Sequence, residues 1–67
     1  MKVNPKQLVF AREYRGYSQT ELAEKIKGLS QSNLSKHEKG IDILSDEILL
    51  KIIECLNFPV DFFTKRI

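Results

Sequence analysis

The stretch GLSQSNLSKHEKG, residues 28–40, is long enough for a short helix between two glycines, yet its only firmly apolar side chain away from the ends is Leu34. At about 100° per residue, Leu34 and Glu38 share one face of such a helix, while Ser32, Lys36 and Lys39 point the opposite way. Ser30 can cap its start, and Gly40 can stop it after Lys39. The outer face lacks the surface that helix propensity favours and offers short donors and acceptors plus two cations. That pattern suits a helix that touches a polar partner. It also suits a solvated helix whose Ser and Asn residues serve only as caps.

Working outward, the flanking residues read as more short helices. Asn4-Pro5-Lys6-Gln7 sets a capping side chain, a proline at the first helical position and a Gln three residues after the cap, which predicts a first helix running to Gly16. Ser18-Gln19-Thr20-Glu21 is a capping box, Leu22, Ala23 and Ile26 follow on one stripe, and Gly28 can close the second helix. Ser45, with Asp46 and Glu47 in the first turn, opens a fourth helix carrying Leu49, Ile52, Ile53 and Leu56 as its buried stripe, and Asn57 suits a left-handed stop. Pro59 then starts a short fifth turn, Val60 to Phe63. No segment alternates as a strand, so the expected fold is an all-α bundle of about five short helices.

The chain of 67 residues makes one domain, residues 1–67, and a domain of that size buries only about 60% of its unfolded surface, so its core is small. Apolar residues at 42% and charged residues at 30% argue against disorder. No apolar run approaches the roughly 20 residues of a membrane span, and a single cysteine, Cys55, excludes an internal disulfide and makes the cytoplasm the expected compartment. Residues 1–40 carry eight Lys or Arg against four Glu, a balance of +4, while residues 41–67 carry three against five acids, a balance of −2. The first half is therefore the half suited to an anionic partner.

From Leu8 to Phe63 the sequence resembles the helix-turn-helix DNA-binding domains of the phage repressor and Cro family. The resemblance rests on Leu8, Arg12 and Gly16, on SQTELAEK, on LSQSNLSKHEKG and on LLKIIECLNFPVDFF. It implies a helix-turn-helix core at about residues 18–40, whose second helix crosses the DNA backbone while the third enters the major groove. It further implies base contacts from Gln31, Ser32, Asn33 and Lys36, and phosphate contacts from Gln19, Ser30, Ser35 and Lys39. Arg12 and Glu38, each one turn after a leucine on an inner face, would form an ion pair joining the first and third helices. The sequence departs from the common family form at Lys27, which intervenes between Ile26 and Gly28. Either the second helix gains a residue or the loop takes it.

The implied partner is a double-stranded DNA operator read by a homodimer, and the implied role is that of a prokaryotic or phage transcriptional regulator. Domains of this kind often precede a second domain, so the chain can be the N-terminal part of a longer protein. A rival from another class keeps the fold but makes it a protein-interaction module, as an antitoxin or adaptor. No catalytic motif, cofactor motif or small-molecule substrate is evident. His37 lacks metal-ligand neighbours and is expected to pack near the 40–44 loop, and Cys55 is expected to be a buried, inert thiol. Phe10 and Tyr14 are expected to form an exposed pair opposite Leu8, and at least one of Phe62 and Phe63 is expected in the core.

Overall fold

The structure, a computed structural model, describes residues 2–64, which form five helices: α1 (Pro5–Tyr14), α2 (Gln19–Lys25), α3 (Gln31–Glu38), α4 (Asp46–Leu56) and α5 (Val60–Thr64). Side-chain caps set most of the starts. Asn4 Oδ1 accepts from the Lys6 backbone N–H at 3.0 Å, with Pro5 at the first helical position. Ser18 and Glu21 close a reciprocal capping box at 2.9 and 3.1 Å, and Ser30 and Ser45 each accept from the backbone three residues on.

The ends depart slightly from the sequence reading. α1 stops at Tyr14 rather than at Gly16, because Gly16, at φ +80°, reverses the chain: Gly16 N–H donates to Glu13 C=O and Tyr17 N–H to Arg12 C=O. α3 stops at Glu38 in the same way, with Gly40 N–H on His37 C=O and Ile41 N–H on Lys36 C=O. Both are Schellman ends, in which a residue of left-handed conformation satisfies the last carbonyls. Asn57, at φ 56°, ends α4.

The residue inserted at Lys27 goes into the loop. α2 ends at Lys25, Ile26 is extended at φ −114° and ψ 114°, and Leu29 N–H donates to Ile26 C=O across a four-residue turn. Gly28 does not close α2; at φ +91° it fills the third position of this turn, the left-handed position of a type II turn. The turn lets both Ile26 and Leu29 point into the core.

Leu8, Leu22, Leu34, Leu49, Ile52, Leu56 and Phe63 are fully buried and fill the centre of the bundle. The start of α1 is tied to α5: Asn4 N–H donates to Phe63 C=O at 2.8 Å, and the Gln7 side chain donates to Phe62 C=O at 3.2 Å. Arg15, which the sequence did not single out, donates from Nε to Leu56 C=O at 2.7 Å and from Nη2 to Asn57 C=O at 3.1 Å, placing a cation on the negative end of α4. Phe10 and Tyr14 are exposed and stacked, but they are not an isolated pair. Phe10 also meets Phe62, and Tyr14 meets Phe58, so the two belong to an aromatic cluster that closes α1 against α5. Phe63 is in the core and Phe62 is half-buried; Cys55 is half-buried too. No helix among the described residues is long and apolar enough to cross a membrane.

Candidate nucleic-acid interface

The site is built from Arg12 outward. Its guanidinium donates from Nε to Glu38 Oε2 at 2.7 Å and from Nη2 to Glu38 Oε1 at 3.1 Å, a bidentate pair between α1 and α3. Its third arm, Nη1, donates at 2.7 Å to the C=O of Tyr17, immediately before the cap of α2. One side chain therefore holds three segments at fixed separation. Both side chains of the pair are nearly sealed from solvent, at 10% and 5% exposure, so this is a desolvated contact rather than a surface ion pair.

Glu38 carries the order further outward. Its Oε1 also accepts from Gln19 Nε2 at 2.8 Å, and Gln19 Oε1 accepts from Gln31 Nε2 at 2.8 Å. Both amide orientations follow from the carboxylate, which can only accept: it obliges Gln19 to offer its nitrogen inward and its oxygen outward, and Gln19 obliges Gln31 to do likewise. Gln31 is left with its Oε1 and its second amide hydrogen, both at an exposed position. The carboxamide of Gln19, expected to face a phosphate, is half-buried and turned toward Glu38, with one amide hydrogen still unassigned.

The other residues singled out in the sequence lie around Gln31. Ser30, Ser32, Asn33, Lys36 and Lys39 are exposed, and Ser35 is half-buried at the border of the face. Ser30 Oγ accepts from Asn33 N–H, which leaves its hydroxyl hydrogen to donate outward. Neither Lys36 nor Lys39 is in an ion pair among the described residues. The one carboxylate of α3 is Glu38, turned inward and neutralised by Arg12, so the outer face of the helix offers cations and uncharged polar groups only. The sequence reading missed the Gln19–Gln31 contact; the available signal was that both glutamines occupy the first position of their helices.

His37 is on the inner side of α3 and buried. Its Nδ1 accepts from Leu44 N–H at 3.4 Å, which anchors the loop after α3. Burial holds its pKa below the ordinary imidazole value, against the opposing pull of the Asp42 backbone carbonyl near the ring and of the Glu38 and Asp42 charges, so the ring is neutral near pH 7. Among the described residues no group of three or more His, Cys, Asp or Glu could hold a metal ion.

Two helices joined by a tight turn, the second presenting an uncharged polar and cationic face from a rigid base, define a DNA-binding helix-turn-helix domain. The family model for helix-turn-helix domains matches residues 10–63, and the chain belongs to that family, in its Cro and repressor type. No curated protein and no solved structure matches the chain.

Proposed function

We propose that the protein is a transcriptional regulator of prokaryotic or phage type, acting in the cytoplasm, which places α3 in the major groove of an operator and binds it as a two-fold dimer. The observation that carries this reading is the relay Arg12–Glu38–Gln19–Gln31, which fixes the carboxamide of Gln31 before any DNA arrives. Its remaining acceptor and donor match the N6–H and N7 of adenine, the bidentate pattern that distinguishes that base. Ser32 and Asn33 lie beside it at the start of the helix, and Lys36, one turn on, can donate to guanine O6 or N7. Ser30, Ser35, Lys39 and the second amide hydrogen of Gln19 are the phosphate donors that set the register.

The test begins with selection of bound duplexes from a randomised pool, followed by titration of the selected duplex and of a random one. Lys36→Ala should cost about 1–3 kcal/mol on the selected duplex and little on the random one. Lys39→Ala should weaken both alike and reduce the slope of log affinity against log salt by about one phosphate contact. Equal losses for Lys36→Ala on both duplexes would assign that lysine to the backbone. Failure to enrich any sequence would overturn the reading in favour of a protein-binding role for the same fold.

A further inference from the structure

Where the end of α2 and the turn after it lie against α4, they enclose an open cleft of about 450 Å³, lined by Lys25, Ile26, Lys27, Lys51, Glu54 and Cys55. The fold fixes both of its walls. Gly28 brings the turn close to α4, where even an added Cβ would lie 3.3 Å from Ile48 Cδ1, and Lys27 stands just before it at the corner of the turn. Lys51, Glu54 and Cys55 share one face of α4 by their spacing. Ile26 is buried and Cys55 half-buried, so the charged side chains surround a less polar floor. Three lysines thus meet one glutamate. Lys25, Lys27 and Glu54 are in no ion pair among the described residues. Lys25 Nζ lies 5.6 Å from the centre of the Tyr17 ring, and Lys51 Nζ meets Glu47 at 3.6 Å, with side-chain exposures of 42% and 81%. So exposed a pair contributes little, and it yields to a stronger counter-ion. No residue of α3 lines the cleft, so these cations are separate from those on the outer face of that helix.

We propose that the cleft binds a small-molecule phosphate monoester, its dianionic group held by Lys25, Lys27 and Lys51 and its organic body against Ile26 and Cys55. Charge sets the valence. Three ammoniums against one carboxylate leave an excess of two, which matches the charge of about −1.5 to −2 on a phosphate monoester near neutral pH. Side-chain type sets the geometry: lysines are point charges with rotatable donors, suited to the oxygens of a phosphate, whereas the planar fork that favours a carboxylate belongs to arginine, and none lines the cleft. Size sets the rest. The volume falls within the range of small-molecule sites, about 300–1,000 Å³, and leaves room for a body beyond the phosphate group. A duplex backbone is a poorer match, because each of its diester groups carries one charge and the cleft is concave. The inference rests on the cleft alone and is independent of what α3 reads.

The experiment uses the whole chain, isotope-labelled, without DNA and at constant ionic strength. It is titrated with phenyl phosphate and with methyl phenyl phosphate, which keeps the aromatic body but carries one charge. Phenyl phosphate should give saturable shifts centred on Ile26, Lys27, Lys51 and Cys55, and should bind about fivefold more tightly than the diester. Lys27→Gln should weaken phenyl phosphate by about three- to fivefold, and Glu54→Gln, which removes the competing carboxylate, should strengthen it by a similar factor. Lys6→Gln, the same change of charge on the exposed side of α1, should leave the affinity as it was. Shifts that never saturate, shifts centred on α3, or equal losses for Lys27→Gln and Lys6→Gln overturn the proposal, since each means attraction to net charge rather than to the cleft. Equal affinity for the two probes also overturns it, and would assign the three lysines to diester phosphates instead.

Discussion

Arg12 concentrates more of this structure than any other single side chain. It satisfies both oxygens of Glu38 and the carbonyl of Tyr17, and the pair is almost without solvent. Removing one partner of such a pair leaves the other charge buried, which typically costs about 3–5 kcal/mol. A domain of this length has a total stability of only about 0.05–0.15 kcal/mol per residue, so Arg12→Ala should lower the melting temperature severely or leave the chain unfolded. The double variant Arg12→Met with Glu38→Met should recover much of the loss, because an apolar pair of similar volume has no buried charge to strand. Thermal melts of the two variants check this, and an unchanged midpoint for Arg12→Ala would show that the pair contributes nothing. Two charged residues on apolar stripes were visible as an anomaly in the sequence, and the resemblance to repressor domains supplied their pairing. The Gln19–Gln31 bond was not, because it depends on how two helix starts, 12 residues apart, are brought together by the turn between them.

At the scale of elements, most helix starts were legible and several ends were not. A start is written in a short local code, since one side chain satisfies one orphan N–H at fixed spacing. An end such as that of α1 depends on where the chain turns next, and the Schellman bonds to Glu13 and Arg12 place the stop before the glycine that signals it. Lys27 could not be assigned from periodicity, since a longer helix and a longer loop both keep Leu22, Ala23 and Ile26 on one stripe. Burial of both Ile26 and Leu29 decides it, because a reversing turn brings the two toward the core together. Gly28 is the hinge of that solution. Gly28→Ala should destabilise the protein by about 1–2 kcal/mol, the cost of forcing an L side chain to positive φ. The added Cβ would also lie 3.3 Å from Cδ1 of Ile48, the flexible end of a side chain that can shift by the few tenths of an ångström required. Gly40→Ala is the control: it has a comparable positive φ and nothing within 4 Å of the added atom, so it should cost slightly less in the same thermal melts. A Gly28→Ala protein as stable as the parent would mean that the turn adopts another conformation.

At the scale of the whole molecule, the positive balance of residues 1–40 pointed to an anionic partner for that half without saying which surface meets it. What the structure adds is the place of one residue: Glu38 is drawn inward by Arg12, which leaves Lys36 and Lys39 exposed and without an ion-pair partner among the described residues on the outer face of α3. Size then constrains assembly under the proposed reading. The body measures 27 × 23 × 19 Å between Cα atoms, whereas half-sites one helical turn apart separate two recognition helices by about 34–36 Å. Under that reading we infer that two copies set at that distance touch mainly through side chains at their edges, over less than the roughly 1,200 Å² of a stable protein–protein interface. The free protein should therefore sediment as a 7.8 kDa monomer at micromolar concentration and dimerise on DNA. Binding to a duplex with two half-sites one turn apart should be cooperative, and moving the half-sites by half a turn should abolish the cooperativity, because the two copies then face opposite sides of the duplex. A stable dimer without DNA would place the self-association surface elsewhere on the molecule, and non-cooperative binding at the natural spacing would mean that each copy reads its half-site alone.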